Sequence, residues 1–419
     1  MSSLRLDTEQ RFTCASCARC CTRPWEIVVT PAEAASYRQR NTARWFRDAA
    51  GGREGTDRDP FEPIPGTQGF HRIRKRDGGA CGFLSAANRC RLHEELGARM
   101  KPLTCRLFPF SFHAVADAVA VTTSFACPTI VANEGEPIST GGSLESVKGL
   151  SGEWFKTYPA SPAHLQYVSG RRMDASTLKV LRTSLLQMLT RADAAGGIDL
   201  RTNVVRMAQA LEDLARPAVV RLKDDEFAEY VAITTPFAAR SDKPVVTRGP
   251  SWNGRLMQRG FLFLIAATQL QVEHRRVSGS TMMLRLEAFK LLAHFHGMAR
   301  GVGAFDLRLL PVRAVDANAP DLQPLVQHYL RSSIQTLGTG ARPVLDELAV
   351  AVSSLNAACV LARMRASQAG GTVNRQVFSE ALVDAVDVTH ADYGSMARFL
   401  TMFAGGIEAL YAFGNRANP

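Results

Sequence analysis

The sequence predicts a mainly α-helical protein, in which a small irregular α+β domain rich in cysteine precedes a larger helical body. Eight of the nine cysteines lie before residue 130 of the 419-residue chain, and the ninth, Cys359, stands alone in the remaining two thirds. Past residue 175, apolar residues recur at helical spacing in one segment after another. We therefore expect a metal-binding cysteine domain over residues 1–135, a linker over 136–175 and an α-helical domain over 176–419.

Composition and charge exclude several classes of protein. The first ten residues contain three charged side chains and no apolar run, so they are not a signal peptide, and the most apolar run, Phe261–Ala267, is too short to span a bilayer. We expect a soluble, cytoplasmic protein without a transmembrane segment. The net charge is +11, and its densest basic segment is His71–Asp77. Because no nucleic-acid-binding motif accompanies this segment, we interpret it as a solvated basic loop.

The cysteines begin with the segment FTCASCARCC, which runs from Phe12 to Cys21. Disulfides are disfavoured, because a reducing cytosol keeps thiols reduced. Structural zinc needs four ligands, and C-x2-C pairs supply them two at a time. An iron–sulfur cluster also needs four thiolates, and closely spaced C-x2-C-x2-C runs suit it. Both kinds of metal site stay open at this point.

Eight cysteines are candidate metal ligands, enough for two sites of four. Cys20 and Cys21 are adjacent, and neighbouring side chains in an extended stretch point in opposite directions. We therefore expect that they serve two sites, or that only one of them binds metal. His93 is interpreted as a histidine on a helix surface, and Cys359 as a thiol in a buried helical stripe. The candidate ligands are Cys14, Cys17, Cys20, Cys21, Cys81, Cys90, Cys105 and Cys127.

Three blocks of sequence resemble the CxxCxxCC, or YkgJ-type, cysteine-cluster family, whose members are described as zinc- or iron-chelating. The blocks are FTCASCARCCTRPWEIVVTPAEAASY, GACGFLSAANRCRLHEELGARMKPLTCRLFPF and FACPTIVA. The second block departs from the family pattern by having Gly82 where Pro is usual. The Trp25-x-Ile27 pair, the Cys127-Pro128 pair and the long C-terminal region are similar to those of flagellin lysine N-methylases.

The resemblance implies an activity that the residues alone do not reveal. In the methylase branch it implies a 4Fe-4S cluster, S-adenosylmethionine as methyl donor, and a bacterial surface protein such as flagellin as substrate. The alternative is a non-catalytic zinc-binding module that recognises a partner. No donor-binding loop and no catalytic residues can be assigned from the sequence.

Local patterns predict the elements around the cysteines and in the body. The segment EIVVT predicts a strand, and Thr30, Pro31 and Glu33 predict a helix that begins with a capping box. A further helix is expected to end at Gly97. We expect the cysteine domain to be held together by metal, with loops too irregular for a core of their own. The helices predicted in the body are Ser176–Ala192, Val204–Ala215, Asp225–Ile233, Leu256–Arg275, Met282–Ala299, Leu325–Thr336, Pro343–Ser367, Arg375–Val386 and Met396–Phe413.

Overall fold

The computed structural model describes residues 3–245 and 315–391, apart from short gaps at 24, 49–51, 78, 116–117, 159–164, 169, 194, 244, 340–341 and 370. Three of the predicted helices, Leu256–Arg275, Met282–Ala299 and Met396–Phe413, lie outside the described residues.

The N-terminal part alternates short strands and helices. Its elements are β1 (Ser3–Arg5), β2 (Val28–Val29), α1 (Pro31–Gln39), β3 (Phe61–Pro63), β4 (His71–Ile73), α2 (Arg91–Leu96), α3 (Leu103–Leu107), β5 (Phe110–Val115), β6 (Ala118–Thr123), α4 (Pro128–Ala132) and α5 (Gly141–Thr157).

The strands form two three-stranded sheets. In the first, β6 lies between β1, which is parallel to it, and β5, which is antiparallel. In the second, β4 lies between β2 and β3 and is antiparallel to both. The expected strand in EIVVT is β2.

The start of α1 confirms the predicted capping box. The Glu33 amide donates to the Thr30 hydroxyl at 3.2 Å, and the Thr30 amide donates to the Glu33 carboxylate at 2.8 Å. Pro31 occupies the first turn, where a missing N–H costs nothing. Helix α2 ends at Gly97, whose φ of +87° suits glycine.

The cysteine domain has a hydrophobic core, contrary to the expectation that its loops would lack one. The side chains of Tyr37, Phe46, Phe61 and Phe83 are almost fully buried there. Their rings contact one another, with centroids 5.2 Å apart for Phe46 and Phe83 and 5.5 Å for Tyr37 and Phe61. The expectation was wrong because these aromatic residues are far apart in sequence, and only the tertiary fold brings them together.

The predicted linker is helical over Gly141–Thr157. Its Gly- and Ser-rich sequence suggested a flexible segment, but one face of α5 packs against α3: Val147 is buried with Leu103 and Leu107, and Trp154 packs beside them. Tertiary packing here outweighs the low helix propensity of glycine. The domain boundaries themselves stay predictions.

The described residues of the C-terminal part form helices, apart from a two-stranded ribbon at its start. The predicted helices in the described part are confirmed with small shifts, and α9 continues beyond Ile233 through Pro236. The elements are β7 (Gln166–Val168), β8 (Arg171–Arg172), α6 (Ala175–Leu189), α7 (Leu200–Leu214), α8 (Pro217–Val220), α9 (Asp224–Arg240), α10 (Gln323–Gln335), α11 (Val344–Gln368) and α12 (Arg375–Ala391).

Helix α11 is the central core helix of this body. Within it, Val344–Arg363 is long and apolar enough to cross a membrane, but 71% of its most apolar window is buried inside the protein. Leu348, Val352 and Leu355 form the predicted buried stripe. We therefore interpret this segment of α11 as a buried core helix rather than a membrane span.

The cysteine domain and the helical body are joined by a shared core. Phe125, Cys127 and Ile130 of the first lie in the same buried cluster as the helices of the second. The ring of Phe125 contacts that of Tyr329 edge to face, with centroids 4.8 Å apart. Changes around Cys127 therefore reach the packing of the helical body directly.

Candidate metal centre

The double cysteine lies on a tight turn rather than on an extended strand. Residues Arg19–Cys21 form a 3₁₀ turn, which the chain enters through Ala18 in the left-handed region, with φ of +58°. The Trp25 indole N–H holds the turn by donating to the Cys20 carbonyl at 2.8 Å. A non-glycine residue at positive φ is strained, and such strain is often found at functional sites.

Cys20 and Cys21 point to the same side of this turn, which corrects the expectation that they face opposite ways. Their Sγ atoms are 4.0 Å apart. The expectation assumed extended backbone, whereas the 3₁₀ turn rotates both side chains inward. The thiol of Cys21 donates a hydrogen bond that lowers the pKa of Cys20, and the same contact raises the pKa of Cys21.

Three more thiols join this pair to form what we call the five-thiol group: Cys20, Cys21, Cys81, Cys90 and Cys105. The Cys81 amide donates to the Cys21 carbonyl at 2.7 Å, which fixes the second block of sequence beside the first. Charge on Cys20 raises the pKa of Cys81, Cys90 and Cys105, and charge on Cys90 raises the pKa of Cys81 and Cys105. The sequence-predicted ligands from two distant blocks therefore lie together.

Burial and backbone N–H donors shift the pKa of these thiols in opposite directions. Burial raises the pKa of Cys81 to about 11 and that of Cys105 well above its usual value. The backbone N–H groups of Phe83, near Cys81, and of His93 and Leu92, near Cys90, act to lower the pKa of these thiols and so favour the thiolates. N–H donors aimed at sulfur are also what thiolate metal ligands use to disperse their charge.

Lys101 is a cation beside most of these thiols, and Lys75 acts on Cys81. Burial lowers the pKa of its ammonium, but the thiols of Cys105, Cys90, Cys14 and Cys20 outweigh burial, and the net shift is upward. Lys101 therefore stays charged, and its charge favours the thiolate forms of the cysteines around it.

Cys17 and Cys127 form a second, smaller group. Charge on Cys17 raises the pKa of Cys127, to which burial contributes most. The backbone N–H groups of Ile130 and Thr129, at the start of α4, act in the opposite direction and lower the pKa of Cys127. Cys14, like Cys17, is exposed. Charge on Cys14 contributes to the raised pKa of Lys101, which lies beside the five-thiol group.

The donor set fits a thiophilic metal. Thiolates are the ligands that zinc and iron–sulfur clusters prefer. Within residues 3–245 and 315–391, no group of three or more Cys, His, Asp or Glu side chains lies close enough together to hold a metal ion as the structure stands. The structure thus brings the thiols into one region without fixing which four of them would bind.

A network of hydrogen bonds positions Cys105 in α3. Glu33 of α1 accepts from the Leu103 amide at 2.7 Å, and the Thr104 hydroxyl donates to the Val28 carbonyl at 2.8 Å. Arg106 makes a bidentate ion pair with Glu153 of α5, at 2.8 and 2.6 Å. Helices α1, α3 and α5 therefore hold Cys105 in place together.

Arginines beside the double cysteine tie the turn to the helical body. Asp384 of α12 pairs with Arg19, with Arg365 of α11, and with Arg23 at 2.8 Å. Arg23 also pairs with Asp387. Burial opposes the charge on Asp384, but the three guanidinium groups outweigh it and lower the pKa of its carboxyl. The double-cysteine turn and the C-terminal helices are therefore coupled electrostatically.

Sequence patterns did not reveal Lys101 or the Asp384 network, because both depend on contacts between distant segments. Gly82, by contrast, could be singled out from the sequence, because the family pattern usually has Pro at this position. A Cβ at Gly82 would lie 2.1 Å from the ring of Phe46, so glycine lets this ring pack beneath Cys81.

The other singled-out residues lie outside the metal-binding groups. His93 is exposed on α2, as expected. Cys359 packs against the core of the helical body, and burial raises its pKa to about 11. In the basic segment, Arg72 pairs with Glu26 at 2.6 Å and Lys75 donates to the Arg23 carbonyl at 3.1 Å.

The comparisons with known proteins agree with this geometry. Residues 13–128 match the model of the CxxCxxCC family, described as "Putative zinc- or iron-chelating domain". No curated protein and no solved structure matches the chain significantly. The matched range contains the five-thiol group and Lys101, together with Cys14, Cys17 and Cys127. Residues 13–128 of this chain are thus similar to the CxxCxxCC family and carry its cysteine pattern.

Proposed function

We propose that the five-thiol group, with Lys101 beside it, is a thiolate metal centre. The observation that carries the proposal is the convergence of thiols from two distant blocks, Cys20 and Cys21 with Cys81, Cys90 and Cys105, inside the range that matches a metal-chelating family. Such crowding is unfavourable for thiolates alone, because like charges repel, and a bound cation removes that penalty.

An iron–sulfur cluster is the form that the ligand pattern supports first. Cys20 belongs to a C-x2-C-x2-C run, whose spacing suits clusters, and Cys81, Cys90 and Cys105 would supply further thiolates. Backbone N–H groups near Cys81 and Cys90 favour the thiolate forms that a cluster needs. When bound, a cluster supplies electron transfer or Lewis-acid chemistry. The residues of the chain hold its thiolates, and Lys101 offsets their negative charge.

A single zinc ion is the second candidate, and one distance favours it. With Zn–S bonds of about 2.3 Å, two sulfurs of a tetrahedral site lie roughly 3.8 Å apart. The Sγ atoms of Cys20 and Cys21 are 4.0 Å apart, so both can bind the same ion. The ligand set would be completed from Cys81, Cys90 and Cys105.

Anaerobic purification followed by metal and sulfide analysis tests the proposal. An iron–sulfur protein is brown and contains iron with an equivalent amount of acid-labile sulfide. A zinc protein is colourless and contains zinc without sulfide. A protein with neither metal, even after reconstitution with each, would show that the thiols have another role.

Methyl transfer from S-adenosylmethionine to lysines of a bacterial surface protein such as flagellin stays a prediction from the resemblance. Its first test is calorimetry of the metal-loaded full chain with S-adenosylmethionine. Binding heat that saturates would support a donor site. No heat at high donor concentration would leave metal binding, with or without recognition of a partner, as the better account.

A further inference from the structure

Cys14 and Cys17 differ from the other cysteines in their exposure. All nine cysteines belong to the described part of the chain, and only these two are exposed. The members of the five-thiol group are buried or half-buried. We call residues 14–17, all of them exposed, the outer arch. A molecule in solution therefore meets the thiols of the outer arch before it meets those of the five-thiol group.

The upstream end of the outer arch is fixed to the loop after α4. The Phe12 amide donates to the Glu136 carbonyl at 2.8 Å, and the Glu136 amide donates to the Thr13 hydroxyl at 3.1 Å. The Arg11 amide donates at 2.8 Å to the side-chain oxygen of Asn133, which lies at the C-terminal end of α4. Because these bonds hold the residues directly before Cys14, the outer arch is presented at a defined place on the surface.

The downstream end of the outer arch is fixed beside the five-thiol group. Ala18 is buried with Ala80 and Leu84, and Cys21 packs against this small cluster. The Cys21 amide donates to the Ala18 carbonyl at 2.9 Å. Since Ala80 directly precedes Cys81, this anchor places the outer arch next to thiols from both blocks of sequence.

One cation lies beside both sets of thiols. Lys101 is influenced by charge on Cys14 of the outer arch, and also by charge on Cys105, Cys90 and Cys20 of the five-thiol group. Electrostatic effects between side chains fade over about 10 Å in salt solution, so both sets of thiols lie around the same ammonium group. A metal ion held by the outer arch is thus a short distance from the inner thiols.

We infer that the outer arch is the entry route for metal: Cys14 and Cys17 take a zinc or ferrous ion from a small thiolate complex in solution and pass it to the five-thiol group. This inference rests on the proposed metal centre. A C-x2-C pair supplies only two of the four ligands of a tetrahedral ion, which leaves two positions for the donor and then for the inner thiols. The outer arch therefore suits a transient site better than a permanent one.

The transfer is a series of ligand exchanges without oxidation or reduction. In each exchange, one metal–sulfur bond to the donor breaks as one bond to a cysteine of the chain forms. The proton of the incoming thiol passes to the departing thiolate of the donor, because only the thiolate binds metal. The inner thiols then displace Cys14 and Cys17 in the same way, and the displaced thiolates take up the protons released.

Isotope exchange into the zinc-loaded full chain tests the inference. The protein is loaded with natural zinc under anaerobic, reducing conditions and mixed with an excess of an isotopically enriched zinc–glutathione complex, and its zinc isotope ratio is followed by mass spectrometry. The double variant Cys14→Ser/Cys17→Ser should hold as much zinc as the wild type but exchange it about tenfold more slowly or worse, because the donor must then reach half-buried thiols without a tethered intermediate. Ser16→Ala changes the outer arch without removing a thiol, so it should exchange zinc like the wild type.

Thiol alkylation separates an entry route from a permanent site. In the zinc-loaded wild type, iodoacetamide should modify Cys14 and Cys17 well before the cysteines of the five-thiol group. Loss of zinc from the double variant, or equal protection of Cys14 and Cys17, would overturn the inference by making them permanent ligands, and an unchanged exchange rate would overturn it by removing their role. A wild type that holds no zinc would overturn it as well, whereas iron and sulfide analysis of the same protein judges the metal centre separately.

Discussion

Replacing Asp384 with asparagine tests the coupling between the double-cysteine turn and the helical body. The carboxylate of Asp384 is shared by Arg19, Arg23 and Arg365, and only 11% of its side chain is exposed. Removing one partner of a buried ion pair costs about 3–5 kcal/mol. Arg19 can turn to solvent and Arg23 keeps Asp387, so we expect a loss of about 2–3 kcal/mol in the free energy of unfolding.

The assay is chemical denaturation followed by circular dichroism, at matched metal content. The control is Asp59→Asn, because Asp59 pairs with Arg38 at 2.6 Å while both side chains are more than 40% exposed. Such a surface pair contributes under about 1 kcal/mol. The Asp384 variant should also speed hydrogen exchange in residues 12–23. If it is no less stable than the Asp59 variant and its turn exchanges like wild type, the coupling is refuted.

The structure also predicts the effects of two other substitutions. Asp174→Ala should cost about 1 kcal/mol at neutral pH, because Asp174 caps α6. Hydrogen bonds from the Ser176 hydroxyl and the Thr177 amide lower its pKa, so the carboxylate stabilises the fold above its unfolded pKa of about 3.9. This contribution to the free energy of unfolding is lost as pH falls through the lower pKa of the folded state. The wild type and Asp174→Ala should then unfold at increasingly similar denaturant concentrations. A difference in stability that stays constant down to about pH 2 would contradict this. Gly82→Ala should cost about 1–3 kcal/mol and reduce metal content, because its Cβ would displace the ring of Phe46; an unchanged midpoint of unfolding would show that the ring moves freely.

Local sequence was enough to predict several of the helices, though not α5, which was expected to be part of a linker. The capping box at Thr30 and the buried stripe of α11 are properties of neighbouring residues, and both are confirmed. The orientation of Cys20 and Cys21 could not be predicted in this way. It depends on Ala18 adopting a left-handed conformation that its residue type disfavours.

Long-range packing accounts for the remaining differences. The helix over Gly141–Thr157 is stabilised by burial of Val147 against α3, which its own composition does not signal. The position of Lys101 among the thiols also depends on a long-range contact. The Tyr37 hydroxyl of α1 donates to the Met100 carbonyl at 2.8 Å and anchors the turn before Lys101. Sequence clustering did predict that the cysteines of two blocks meet, since so many thiols in one small domain favour a shared metal.

Metal analysis of matched cysteine variants tests the central claim most directly. The full chain, purified anaerobically, should contain iron with sulfide, or zinc, in a fixed ratio to protein. Cys359→Ala should keep that content, because Cys359 packs in the helical body. The double variant Cys81→Ala/Cys105→Ala leaves only three of the five thiols and should lose most of it, and since the cysteine domain has its own aromatic core, the variant should stay folded by circular dichroism. Full metal content in this double variant, or an empty site in Cys359→Ala, would contradict the assignment of the five-thiol group as the metal centre.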